Sequence, residues 1–275
     1  TIRGFEVNGY FDISKKYNVP LVDTKKDTFE IREAFGIKME ISKTILNCDF
    51  LISLPVLKGH GQTLMTCALK NMKGCLSDRS KRLFHQLGLM KPIAALNSIR
   101  CADLIIVDSL NGDLDFEEGG TPIRTDRMLM AQDSVLLDTY CASLMGFSLS
   151  DIPYIGLSEK AGVGTTTLQT LKLTELNTPT AGPALPSGRI RQLVKYIDAR
   201  SACSACQANL VHALKRIDDN EGLYGLGNRK ISIGREFKGK TGMDIGVGSC
   251  CSGANTTCKG CPPTASAIMT MLEKF

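Results

Sequence analysis

Apolar residues in the first two thirds of the chain fall into short continuous runs, separated by stretches with helical spacing. Residues 49–58 and 102–112 are runs of leucine and β-branched residues and predict strands, the first of them stopped by Pro55. Residues 127–146 predict a strand, a helix cap at Gln-Asp-Ser and a helix that ends at Gly146. Each of these runs has the length expected of a buried strand or of a helix packed against one.

Two further stretches favour helices. Residues 63–76 have apolar positions at helical spacing, and residues 30–49 mix charged and apolar residues with a rough helical period. Fully apolar strands that alternate with helices are typical of parallel β–α units. Residues 1–195 therefore predict an α/β domain with a mostly parallel, Rossmann-like sheet.

A change of composition separates the last quarter of the chain from this domain. Residues 176–188 are rich in proline, glycine, serine and threonine and predict a linker. Residues 203–220 then predict an amphipathic helix, residues 229–237 and 243–251 two strands, and residues 261–275 a final helix. We expect a second, smaller α/β domain over residues 196–275, rich in cysteine.

Composition excludes several classes of function. The chain has 33 basic and 28 acidic residues, a net charge of +5, no tryptophan and only 6% aromatic residues, which argues against nucleic-acid binding. No stretch approaches the roughly 20 apolar residues that a membrane span needs. No export leader is visible either, so we expect a cytoplasmic protein that neither spans nor binds a membrane.

Cysteine is the most informative residue type. The eleven cysteines are an odd number, which argues against a complete disulfide framework. Five are scattered through apolar surroundings and are expected to be small buried hydrophobes. The scattered group is Cys48, Cys67, Cys75, Cys101 and Cys141, and the group crowded into the last quarter is Cys203, Cys206, Cys250, Cys251, Cys258 and Cys261.

The crowded cysteines predict a metal or cluster site. Two C-x-x-C pairs in a chain without an export leader indicate metal ligation more readily than a redox disulfide, which is the alternative. Four thiolates suit zinc as well as iron–sulfur clusters. A cluster is favoured because about fifty residues separate the pairs and small residues surround them. Pro262 and Pro263 also fit the first turn of the final helix, whose positive end would face an anionic cluster.

The residues alone leave open which four thiols bind. Spacing would select the pairs Cys203–Cys206 and Cys258–Cys261. A ligand at the end of a strand would instead come from Cys250 or Cys251, because neighbouring residues of a strand point to opposite faces.

A second polar segment follows the strand that ends near Pro55. Lys58 and His60 alternate with glycines, and Lys70 and Asn71 interrupt the next predicted helix. Since the carboxyl ends of parallel strands carry binding sites, this cleft is expected to hold an anion, with His60 as proton donor and Lys58 and Lys70 supplying charge. His85 and Asp108 are possible companions, and the alternative is a loop histidine with solvated lysines.

This segment resembles a known family. "LISLPVLKGHGQTLMTCALKNMKGCL" followed by "KRLFHQLGL" is similar to the domain-of-unknown-function 362 family, and "LIIVDSLNG" and "QDSVLLDTYCASLMG" match its later segments. The resemblance covers residues 40–165. Members usually begin with further β–α units, so the resemblance implies that this chain is truncated at its N-terminus. It also implies a distant likeness in fold to the nickel-pincer lactate racemase.

The tail adds a second resemblance. "CSAC", "VGSCC" and "GCPP" look like a cluster-binding extension found in some members, and this implies Cys203, Cys206, Cys250 and Cys261 as the ligands. We therefore expect a 4Fe–4S protein, an oxidoreductase or electron-transfer component that meets a small anionic ligand or a redox partner protein. The alternatives are a binding module with a structural zinc and a racemase- or lyase-like enzyme that uses His60 and Lys70 with a nickel-type cofactor.

Overall fold

The structure is a computed structural model that describes residues 2–116, 122–177, 188–220 and 222–275. Its helices are α1 (Ile2–Val7), α2 (Tyr10–Tyr17), α3 (Lys43–Leu46), α4 (Ala68–Asn71), α5 (Asp78–Leu87), α6 (Met90–Ile99), α7 (Ser134–Leu144), α8 (Pro153–Lys160), α9 (Arg189–Val194), α10 (Ser204–Asn220) and α11 (Ala265–Leu272). Its strands are β1 (Phe29–Ala34), β2 (Ile37–Ser42), β3 (Ile52–Ser53), β4 (Lys58–His60), β5 (Leu64–Thr66), β6 (Leu104–Gly112), β7 (Ile123–Ala131), β8 (Ile197–Ala199), β9 (Ile231–Ile233), β10 (Ile245–Val247) and β11 (Thr256–Cys258).

A hairpin occupies residues 29–42, so the helix predicted over residues 30–49 is wrong except for the short helix α3. Strands β1 and β2 pair in antiparallel register, and Phe35 and Gly36 turn the chain between them with positive φ angles of 52° and 74°. Buried Ile37, Met39 and Ile41 alternate with more exposed residues, which is the period of a strand with one covered face. The charged residues between them produced the apparent helical spacing.

The central sheet of the first part has the order β3-β6-β7. Strand β3 runs parallel to β6, while β7 runs antiparallel to it. The predicted strand at 49–58 is interrupted around Pro55, which has no N–H to donate, and the chain rejoins β6 at a single bridge between Val56 and Asp108. The strands and helix predicted over 102–112 and 127–146 are present as β6, β7 and α7, and Asp133 caps α7 by accepting from Val135 and Leu136.

A short antiparallel pair, β4 and β5, carries the polar segment. Strand β5 occupies the start of the stretch predicted as a helix, and the helical part begins only at Ala68 in α4. The backbone around His60 is therefore held in a hairpin that leads directly into a helix.

The C-terminal part contains a four-stranded parallel sheet in the order β11-β10-β9-β8. Helices α10 and α11 pack on it, and both were predicted, as were β9 and β10. Strands β8 and β11 lie at the two edges of this sheet and are only partly buried, so they lack the apolar runs of β9 and β10 and were not predicted. The α/β fold class is confirmed, with the parallel sheet in the cysteine-rich part and a mixed sheet in the first part.

Two apolar cores lie on either side of the segment predicted as a linker, of which residues 178–187 lie outside the described residues. The first core is formed between residues 37 and 155, and the second mainly between residues 190 and 272. Phe116 is the exception, since it follows β6 but packs into the second core under the ammonium group of Lys215. Among the described residues no helix is long and apolar enough to cross a membrane.

Candidate cysteine cluster and adjoining cavity

Three of the crowded cysteines follow strands of the parallel sheet. Val247 of β10 pairs with Cys258 of β11, and Cys250 and Cys261 each lie three residues beyond this pair. Cys203 follows the carboxyl end of β8. Because the strands are parallel, these loops emerge at one edge of the sheet, where binding sites of α/β proteins concentrate.

The buried thiol of Cys206, in the first turn of α10, lies among the others. Its Sγ is 3.8 Å from that of Cys203, and it interacts electrostatically with Cys261 and Cys250. Burial, followed by these neighbouring thiols, raises the pKa of Cys206 to about 12, because a thiolate here would lose water and meet other negative charges. Soft thiolates brought together in this way form a donor set suited to zinc or to an iron–sulfur cluster.

Gly248 shapes the same site. It has a φ of 91°, which side chains rarely adopt, and a Cβ added to it would lie 3.4 Å from the Cys206 Sγ. Ser249 then donates its backbone N–H to the carbonyl of Gly260 at 2.8 Å, which fixes the Cys250 loop beside the Cys261 loop. Glycine at this position therefore gives the backbone its turn and leaves space next to the thiol.

The two competing cysteines lie elsewhere. Cys251 is fully buried in a small apolar cluster with Phe237 and Met243, and Cys258 packs into the second core. Burial raises the pKa of both thiols. In the described part of the chain, no three His, Cys, Asp or Glu side chains are arranged to hold a metal ion. Cys206 and the three thiols around it are thus neighbours, but they do not have the geometry of a single-ion site.

The prolines do not take the place predicted for them. Pro262 and Pro263 precede α11 instead of forming its first turn, and the peptide bond between Cys261 and Pro262 is cis. The cap of α11 is Thr264, whose side chain accepts from the N–H of Ala267. The position of the prolines therefore gives no support to the prediction that the start of this helix faces a cluster.

A cavity of about 470 Å³ adjoins the thiols and lies between the two parts of the chain. Cys203 and Cys261 form part of its wall, with apolar residues of α10 beside them. The first part of the chain contributes the β4–β5 turn, α5 and Phe116. The described residues that line it are His60, Gly61, Gln62, Arg82, His85, Gln86, Phe116, Cys203, Ala205, Ala208, Val211, Cys261 and Pro262.

His60 is held in one orientation at this cavity. Its Nδ1 accepts backbone N–H groups from Gln62 at 3.0 Å and Thr63 at 3.1 Å, and its side chain is 6% exposed. A nitrogen that accepts two hydrogen bonds carries no proton, so the proton of the neutral ring is on Nε2. His60 is therefore arranged as a hydrogen-bond donor through Nε2.

His85 also lines the cavity, from α5. Its Nε2 lies 3.4 Å from the Lys73 ammonium group, which can only donate, so this nitrogen acts as the acceptor. The predicted companion of His60 is thus at the same cavity.

The other predicted residues are not among the described lining residues. Lys58 pairs in register with Thr66, whose hydroxyl oxygen accepts from the Lys70 ammonium group at 2.8 Å. Asn71 donates to the Ser53 hydroxyl, and the Asp108 carboxylate accepts from the backbone N–H of Leu110. Of the residues expected in the cleft, His60 lines this cavity, and Lys58, Lys70 and Asn71 are not among its described lining residues.

The sequence reasoning missed Arg82 and Phe116. Arg82 lies three residues before His85 on α5, so the two share a helix face, and this spacing could have indicated it. Phe116 had no such signal, because its role depends on the packing of its loop against a distant part of the chain.

The first part of the chain matches a known protein family. The family described as "Domain of unknown function (DUF362)" matches residues 1–143, just over half of the chain. The chain belongs to this family. The DUF362 match covers β4, α4 and α5 and ends before the cysteine-rich part, so the family assignment does not extend to the thiols.

A curated relative is the thylakoid-associated protein sll1697 of Synechocystis sp., which is 24% identical over 174 residues, or 58% of this chain. The chain spans about half, 52%, of the length of that relative. No solved structure matches the chain.

Proposed function

We propose that this DUF362 protein is an iron–sulfur protein in which Cys203, Cys206, Cys250 and Cys261 hold a 4Fe–4S cluster. The observation that supports it is the position of the buried Cys206 thiol among three other thiols at one edge of a parallel sheet. When bound, such a cluster supplies one-electron transfer. The protein would then be an oxidoreductase or an electron-transfer component.

The surroundings of the thiols favour a cluster over a single ion. Gly248 and Gly260 keep side chains away from the loops that carry Cys250 and Cys261. A cluster is bulkier than a single ion, and glycines at these positions leave room for it.

The position of the site suits exchange of electrons. Cys261 is exposed and Cys203 half-buried, so the site is close to the surface and to the cavity. A partner protein at the surface or a small ligand in the cavity could approach it. Since ligation requires reduced cysteines, we infer a cytoplasmic location.

One distance favours a second function. Zinc–thiolate bonds of about 2.3 Å in a tetrahedron place neighbouring sulfurs about 3.8 Å apart, which equals the Cys203–Cys206 distance of 3.8 Å. A structural zinc would stabilise the small C-terminal part without any turnover. Zinc and a cluster are distinguished by colour and by the redox signal.

The proposal is tested with a matched pair of cysteine substitutions. Cys206 and Cys258 are both 7% exposed, but only Cys206 is a proposed ligand. In anaerobically purified protein, Cys206→Ala should remove the visible absorbance and the paramagnetic resonance signal of the reduced protein, because a cluster needs its thiolates. Cys258→Ala should keep both.

Circular dichroism of the two variants controls for folding. The proposal fails if Cys206→Ala retains the full signal, or if the wild-type protein is colourless.

A further inference from the structure

The cavity beside the thiols has the size of a small-molecule site. Its volume of about 470 Å³ is within the range of ligand pockets. Two hydrogen bonds join its opposite walls, from Gln207 Nε2 to the Gly61 carbonyl at 3.2 Å and from Gln62 Nε2 to the Ala202 carbonyl at 3.4 Å. Both parts of the chain thus form the cavity together.

The charge of the cavity favours an anion. Arg82 is the one permanently charged side chain among the described lining residues, and none of those residues is Asp or Glu. Arg82 forms no ion pair with a described residue. Its planar guanidinium group matches the two oxygens of a carboxylate.

The rest of the wall is apolar. Phe116 is 5% exposed and Val211 3% exposed, and they face the cavity with Ala205, Ala208 and Pro262. A small hydrated ion gains nothing from such a wall, whereas an apolar group gains free energy on leaving water there. The lining therefore fits a ligand with one anionic end and an apolar body.

We propose that this cavity binds a small organic carboxylate, with its carboxylate at Arg82 and its apolar body against Phe116 and Val211. The ligand would lie beside Cys203 and Cys261, two of the proposed cluster ligands. The inference therefore rests on the proposed function and adds a class of substrate to it. Arg82 is the binding residue for the carboxylate in this arrangement.

The test uses benzoate as the probe and the full chain purified anaerobically, with binding measured by titration calorimetry. Wild-type protein should bind benzoate saturably, and inorganic phosphate should bind at least tenfold more weakly because it has no apolar body. Arg82→Gln should raise the Kd for benzoate about tenfold or more, since it removes a charged hydrogen-bonding partner. Arg79→Gln is the matched control, because Arg79 lies on the same helix but faces Glu40.

Binding of benzoate that is unchanged in Arg82→Gln, or absent in wild type, overturns the inference, and so does equal binding of phosphate. Iron is measured on the same samples. Benzoate binding in protein without iron would refute the cluster and leave the pocket, whereas iron without benzoate binding would refute only the pocket.

Discussion

Asp138 shows how a single buried carboxyl group makes the stability of this chain depend on pH. It is fully buried and accepts the backbone N–H groups of Ala68 at 2.8 Å and Leu69 at 3.2 Å, at the start of α4. Loss of water raises the pKa of Asp138 from 3.8 to about 7, although Cys67 and these two N–H groups oppose the shift. The native state therefore retains a proton that the unfolded chain releases.

The sign of the effect follows from proton binding. Between the unfolded pKa of 3.8 and the folded pKa of about 7, the native state binds more protons, so the free energy of unfolding falls as the pH rises. The contribution of Asp138 to the free energy of unfolding is complete below pH 3.8 and is lost by about pH 7. Over this window the free energy of unfolding falls by at most about 1.4 kcal/mol per pH unit.

Urea unfolding of the wild type and of Asp138→Asn across this window isolates the effect. The difference in unfolding free energy between the two proteins should shrink as the pH rises. A difference that stays constant from about pH 4 to about pH 8 would contradict the assignment.

From the sequence alone, the residues of the site were easier to predict than the side chains that they contact. The spacing of the thiols reduced the ligand set to a few alternatives, and the sequence also indicated His60 and His85 as site residues. Lys70 was expected at the same cleft, but its ammonium group is engaged by Thr66 one helical turn away. Such side-chain partners depend on local geometry that spacing does not encode.

At the scale of the secondary-structure elements, Gly59 allows strand β4 to pack closely against the backbone that leads to Phe116. A Cβ at Gly59 would lie 2.4 Å from the Asp115 carbonyl carbon, whereas one at Gly61 would meet only the Val211 side chain at 3.8 Å. The backbone at 115 cannot withdraw as a flexible side chain could. The Phe116 loop and the β4 strand therefore depend on one another.

Gly59→Ala should lower the free energy of unfolding by about 1–3 kcal/mol, because the added methyl group overpacks a backbone contact. Gly61→Ala, two residues away in the turn that follows β4, should change it by about 0.5 kcal/mol or less. Urea denaturation of both variants measures the difference. Equal effects at the two positions would show that the close approach at Gly59 does not hold in solution.

Elements with a long, simple pattern were predicted well, and several short ones were missed. Strand β6 and helices α7 and α10 have continuous apolar runs or a clear helical period. The β1–β2 hairpin was missed because its turn is Phe35–Gly36, in which a phenylalanine takes a positive φ. Phenylalanine is an uncommon residue at such a position, so the turn carried no sequence signal.

At the scale of the whole molecule, the cavity beside the thiols results from the meeting of the two cores. Phe116 leaves the first part to pack into the second, and Arg235 donates to the carbonyl of Gln86 on α5. The sequence predicted two α/β parts but not their contact, because contacts such as that of Arg235 with Gln86 join residues 149 positions apart. The local sequence pattern therefore could not predict a function that requires both parts of the chain.

The central claim is that four thiols of the C-terminal part hold a 4Fe–4S cluster. Iron, acid-labile sulfide and zinc, measured per chain on one anaerobically purified sample, test it most directly. We expect about four iron and about four sulfide for each chain and no stoichiometric zinc. One zinc for each chain without sulfide would contradict the claim and support a structural metal in its place.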